Sequence, residues 1–234
     1  MIRNKIILKD SFPALSKEQI NTFEKRLIDK FSFPPLPEDY KAFLLQNNGG
    51  YVSPGVIDEG HSHDIVFDTP LQWVRAEGKP MVRPNIYCFF AVWLPDEMNI
   101  DEVTNEDLYT LEASNAYSRE DFDVLPTLMM SIGMTSHEAS GDLLAISLEE
   151  EEYGAVYYSY NNATHPAKFH GDYYDKAAQV IIDTHKLTPE IYNNLEGEEK
   201  RKMEDLFKKA YFVKVANSFT EFLNNCEVIE NPYQ

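Results

Sequence analysis

The sequence predicts an α+β fold, a single domain over residues 1–234 with a mixed, mostly antiparallel sheet flanked by helices. Three observations predict it. Two fully punctuated helices lie between Leu15 and Gly50, and two β-rich runs near residues 143–160 are joined by a short acidic loop. Further helical patterns fill residues 173–209.

The first helix is the best specified. Ser16 with Gln19 three residues later has the form of a capping box, and Leu15 facing Ile20 has the spacing of a hydrophobic staple, so the helix should start at Lys17. Ile20, Phe23, Leu27, Ile28 and Phe31 then recur at intervals that make one apolar stripe, opposite Glu24, Lys25 and Asp29. Pro34 and Pro35 break it. Pro37, followed by Glu38 and Asp39, suits a second helix start, for which Tyr40, Phe43 and Leu44 supply the buried face. Asn47-Asn48-Gly49-Gly50 should end that helix, because these residues tolerate the left-handed conformation of a C-terminal cap. A strand is expected from Tyr51 to Ile57.

Farther along, Ile86 to Trp93 is apolar and aromatic on both faces, as a central strand would be, and stops at Pro95. Asn99 to Ala116 carries Val103, Leu108 and Leu111 at helical spacing. Leu143–Leu148 and Ala155–Tyr160 fit an antiparallel hairpin. Helices are expected over 173–185 and 198–209, with a new start at Thr188-Pro189. Tyr211 to Val215 reads as the last strand, and Ser218 with Glu221 as a second capping box.

The order Phe23-Glu24, Leu36-Pro37-x-x-Tyr40, Phe43-Leu44, Asn48-Gly49-Gly50 resembles the N-terminal signature of the SUKH superfamily. That superfamily includes bacterial immunity proteins and fungal cell-wall-assembly regulators. Ile132-Gly133, Ser140 to Ile146 and Gly154 to Tyr158 are similar to the family's Gly-Asp and Gly-x-Val strands, and Val215 to Leu223 to its closing helix entry. The resemblance implies a SUKH-like domain with long insertions at about 58–131 and 164–210. It also implies a protein that acts by stoichiometric binding, without catalysis or cofactor. Immunity to a toxin, such as a nuclease, is the leading expectation. A scaffold of the cell-wall-regulator type is the alternative.

Composition sets the class of partner. With 39 acidic and 21 basic residues the formal net charge is −18. No basic stripe exists to displace counterions from phosphates, which argues against nucleic acid. Acidity steers association toward a basic protein, such as a toxin domain, and keeps a chain soluble in either case. Cys88 and Cys226 lie far apart and should be free buried thiols of a reducing compartment. Ile6-Ile7-Leu8 is too short for a signal-peptide core and no later run could span a membrane, so a cytoplasmic protein is expected.

The first candidate contact surface is the hairpin loop Glu149-Glu150-Glu151-Glu152 with Tyr153 beside it. Tyr157 and Tyr160 are further candidate anchors, although alternation along a strand should bury about half of such tyrosines. Asp58 and Glu59 with Asp64 and Asp68 form a second surface, and residues 96–107 a third. Any of these charge runs also fits a plain solvated face. Constellations for chemistry are weak. His61-Ser62-His63-Asp64 lacks a further spaced metal ligand, no nucleophile elbow or phosphate-binding glycine loop occurs, and Cys88 has the context of an inert strand thiol. No catalytic or metal-binding residue is expected.

Overall fold

The computed structural model describes residues 7–9, 12–53, 63–69, 83–94, 110–135, 143–159 and 175–230. Its elements are β1 (Ile7–Lys9), α1 (Lys17–Phe31), α2 (Glu38–Gln46), β2 (Gly50–Ser53), β3 (His63–Val66), β4 (Ile86–Phe89), α3 (Leu111–Ala116) and β5 (Met129–Thr135). There follow β6 (Leu143–Ser147), β7 (Val156–Ser159), α4 (Asp175–His185), α5 (Pro189–Asn193), α6 (Gly197–Lys209), β8 (Phe212–Ala216), α7 (Phe219–Asn225) and β9 (Glu227–Glu230). Seven strands form one sheet in the order β1-β2-β4-β5-β6-β7-β8, and β3 pairs with β9 in a second, two-stranded sheet. Among the described residues every pairing between these strands is antiparallel, with one isolated parallel bridge between Ala91 and Thr110, and the fold is α+β.

α1 starts at Lys17 with the full capping box: Gln19 N–H donates to Ser16 Oγ at 3.2 Å and Ser16 N–H to Gln19 Oε1 at 2.9 Å. It ends before the prolines, on Ser32, whose left-handed backbone (φ 58°) lets its N–H reach Ile28 O. Ile20, Phe23 and Leu27 are buried, but Ile28, placed in the stripe by spacing, is 44% exposed. Glu24 belongs to the structure more than to solvent, since its Oε1 accepts the Leu36 N–H at 2.7 Å and holds the proline segment against α1. α2 begins one residue later than expected, with Pro37 as the residue preceding its first turn.

The Asn47–Gly50 expectation needs correction. Asn47, the capping residue, is extended (φ −147°), and the left-handed positions are Gly49 and Gly50. Asn48 acts through its side chain instead. Its Oδ1 accepts Val92 N–H at 2.7 Å while its Nδ2 donates to Val92 O at 3.1 Å and to Pro13 O at 2.9 Å. A Cβ on Gly49 would lie 2.7 Å from Ala91 backbone atoms, so the approach of the two segments requires glycine there.

β4 ends at Phe89, short of the expected Trp93, and Tyr87 on it is 39% exposed. Phe90 to Trp93 runs on with other partners: Phe90 N–H donates to Ile132 O, and Ala91 O accepts Leu111 N–H. The helix expected over 99–116 occupies only Leu111–Ala116 of the described residues and continues into a π-helical turn, Tyr117–Asp121. Val103 and Leu108 lie outside the described residues. The strand at 212–216 is not the last, because β9 follows α7. At the start of α7, Ser218 Oγ accepts Glu221 N–H, but the Glu221 carboxylate takes Asn217 N–H rather than closing the box.

The main core lies on one face of the sheet under α1, α2 and α7. It joins Phe23, Leu27, Tyr40, Phe43 and Leu44 to Phe89, Ile132, Leu144, Ile146, Val156, Tyr158, Phe219 and Phe222. Alternate residues of the same strands, Leu143, Ala145 and Tyr157, face a smaller cluster with Leu125, Met129 and Phe212. α4, α5 and α6 share a third cluster of Ala178, Leu187, Tyr192 and Phe207.

Two substitutions should move stability in opposite directions. Asn48→Ala strands the buried N–H and C=O of Val92 and frees the half-buried Pro13 O, and should cost about 3 kcal/mol. Tyr40→Phe removes a buried hydroxyl that has no partner among the described residues and should raise stability by about 1 kcal/mol. Denaturant unfolding of both variants checks this.

Candidate functional site

The surface singled out in the sequence closes the β6–β7 hairpin. Ser147 N–H donates to Ala155 O at 2.8 Å and Gly154 N–H to Ser147 O at 2.9 Å, with Gly154 in a positive-φ conformation (86°). Between them Glu150–Glu152 make one 3₁₀ turn. Short hydrogen bonds inside the turn, among them Ala155 N–H to Glu152 O at 3.0 Å, fix its backbone.

The turn divides its own carboxylates. Glu149 and Glu152 are half-buried and face Lys209 of α6, whose Nζ lies 2.5 Å from Glu149 and 2.9 Å from Glu152, with Lys214 of β8 at 3.7 Å from Glu152. Glu150 and Glu151 point to solvent. A hydrogen bond from the Tyr157 hydroxyl and then the Lys209 contact hold the Glu152 carboxyl below its ordinary pKa. Burial works against the Lys209 ammonium, but the two glutamates outweigh it and raise its pKa.

Tyr153 pins the other side. Its hydroxyl donates to Pro35 O, in the segment that links α1 to α2, while its ring stays 44% exposed. Burial is the first cause of its raised phenol pKa, and the phenol also feels Lys41, Glu24, Glu38 and Asp39. Lys41 is held between Glu38 at 2.6 Å and Glu24 at 3.4 Å, and the Glu38 side chain is 90% exposed. The outward surface therefore contains Glu150, Glu151 and Tyr153 on a turn fixed at both flanks, with Glu38 of α2 near Tyr153.

Tyr157 is not available as an anchor: it is buried at 4% exposure and bonded to Glu152. Tyr160 lies outside the described residues, as do Asp58, Glu59 and residues 96–107. Asp64, of the second candidate surface, sits on β3 opposite Ile229 of β9, and Asp68 pairs with Arg83. Neither joins the hairpin turn in any contact described. Lys209, Lys214 and Pro35 carry no local signal of their role, since each reaches the turn from a distant part of the chain. Cys88 and Cys226 are buried free thiols, and burial pushes both up to about 12, which suits inert core residues. Among the described residues no helix is long and apolar enough to cross a membrane.

The Glu152 pairing has a signed pH consequence. A carboxyl whose folded pKa is lowered adds stability that is complete above its unfolded value and is lost as pH falls through the folded one. Glu152→Gln should therefore lower the thermal midpoint at neutral pH and leave it nearly unchanged well below the glutamate range, as thermal unfolding across pH would show.

Comparison with known proteins places the chain in a family. No curated protein and no solved structure matches the chain. A family model described as the SMI1 / KNR4 family (SUKH-1) matches residues 14–183. The matched span runs from the approach to α1 into α4 and contains the whole acidic turn, whereas Val215 to Leu223, part of the sequence resemblance, lies beyond it. It covers well over half of the 234 residues, and the chain belongs to the SMI1 / KNR4 (SUKH-1) family.

Proposed function

We propose that this chain is a cytoplasmic immunity protein, a single SUKH-like domain that neutralises a basic toxin domain by binding it one to one, without catalysis or cofactor. Membership of the SUKH family supports a protein-binding role. The observation that carries the finer reading is the pair Glu150 and Glu151, held outward beside the half-exposed ring of Tyr153 on a turn fixed by Lys209 and Pro35.

An anchored turn loses little entropy on association, so contacts made on it convert efficiently into affinity. The aromatic ring supplies contact area, as hot-spot residues do, and the free carboxylates with Glu38 select a cationic surface and speed its approach. The rest of the −18 charge extends that field beyond the contact and repels acidic competitors. Asp58, Glu59 and Asp64 remain proposed as a second acidic contact surface.

The test is capture of partners from the native lysate by the tagged protein at low and at high salt. One basic partner, recovered stoichiometrically and weakened by salt, is expected, and several signalling or cell-envelope proteins would favour a scaffold instead. Glu150→Lys with Glu151→Lys should weaken the captured complex by about a hundredfold and flatten its salt dependence. An unchanged affinity would remove the turn from the contact.

A further inference from the structure

α4, α5 and α6 form a unit with its own apolar centre. Ala178, Leu187, Tyr192 and Phe207 are buried together with Ile181, Ile182, Leu195 and Met203 packed on them, and this cluster contains no residue of the sheet. Tyr192 and Phe207 meet edge to face at 5.8 Å, and Lys200 lies over the Tyr192 ring at 4.8 Å. The contacts described between this unit and the hairpin side of the molecule are polar and concentrated in the last turns of α6. Asp205 Oδ1 accepts Thr127 N–H at 3.2 Å, Lys208 Nζ lies 2.5 Å from Asp123 Oδ1, and Lys209 reaches Glu149 and Glu152. Only Ala210 and Tyr211 separate α6 from β8.

We propose that α6 is a charge-operated latch: Lys208 and Lys209 hold the folded α4–α6 unit onto the acidic turn, and release of Lys209 lets the unit open by local unfolding and uncovers Glu149 and Glu152. Ionic contacts at a half-exposed surface are weak singly and screened by salt. A unit with its own core, joined to the remainder through such contacts, opens as one cooperative piece while the sheet stays closed. When latched, the turn presents Glu150 and Glu151 to solvent. Released, it adds Glu149 to that surface, and Glu152 keeps only the Tyr157 hydroxyl and Lys214 of β8 as partners. An incoming ammonium group would then take the seat that Lys209 leaves, so a basic partner both profits from the opening and sustains it. This last step rests on the acidic turn being the contact surface, whereas the opening itself does not.

Amide hydrogen exchange on the whole chain tests the opening. In the Lys208→Gln/Lys209→Gln variant, protection of amides in 178–207 should fall about tenfold, while α1, β5 and β6 keep theirs. High salt should do the same to the wild type. Glu149→Gln, which leaves both lysines in place, should produce a smaller loss confined to the same amides. Unchanged protection of 178–207, or an equal fall in the sheet, would overturn the latch. Binding of a hexalysine peptide reads the exposure. It should tighten about tenfold in the latch variant but not in Lys200→Gln/Lys202→Gln, which alters the net charge equally on the far part of α6. Equal affinity of the two variants would overturn the exposure of Glu149 and Glu152, and failure of toxin capture with a working latch would sink only the immunity reading.

Discussion

Two buried asparagines carry the constraint on which the remaining architecture depends. Asn48 accepts the N–H and takes the C=O of Val92, and Asn115 does the same for Ser131, with Oδ1 accepting Ser131 N–H at 2.9 Å and Nδ2 donating to Ser131 O at 2.8 Å. Both receiving residues stand where strand pairing is interrupted, Val92 beyond the end of β4 and Ser131 beside the register shift in β5. A buried peptide group without a partner costs on the order of 1–3 kcal/mol. An amide side chain presents one acceptor and two donors in a plane, so it replaces a missing strand neighbour. Through these bonds the end of α2 is joined to the β4 segment and α3 to β5. Gly133 allows the same crowding in the sheet, where a Cβ would meet Cys88 O at 2.5 Å.

Around these joints the helices are set by aromatic packing. Phe219 of α7 lies 4.9 Å from both Tyr40 and Phe43 and 5.7 Å from Phe89, mostly edge to face, the arrangement favoured by ring quadrupoles. α7 is capped in part from another element, because Asp39 of α2 accepts Thr220 N–H at 2.8 Å. α2 and α7 are therefore coupled by both packing and a charge-assisted hydrogen bond. Arg119, brought inward by the π-helical turn, donates to Pro126 O and Met129 O and lies over the Phe33 ring at 4.8 Å. Burial pushes its pKa down to about 10, with Asp205 opposing.

This frame is what turns an acidic loop into an organised surface. The hairpin ladder holds its base, Pro35 holds Tyr153 and Lys209 holds two of its glutamates. A free loop of the same composition would spread its charge over many conformations. Here the charges occupy fixed places and are sorted by depth, the inner two neutralised by lysines and the outer two left to the solvent field. Lys41 between Glu24 and Glu38 repeats the pattern on the neighbouring helix.

The sequence by itself determined the features whose physics is local. The Ser16–Gln19 box, the Thr188-Pro189 start, the hairpin at 143–160 and the burial of Phe23, Tyr40 and Phe43 follow from residues within a few positions of one another. The family signature was legible too, as short motifs in a fixed order along the chain. Tertiary structure alone decided what Asn48 and Glu24 bind, because their partners Val92 and Leu36 are reached by packing and not by spacing. It also decided that Ile28 stays outside, that a strand follows α7, and that Glu149 and Glu152 turn inward while Glu150 and Glu151 do not. Four identical residues in a row carry no signal of depth. Lys209 supplies it from 57 and 60 residues away, and an ion pair across such a distance exists only once the sheet and α6 have brought its two ends together.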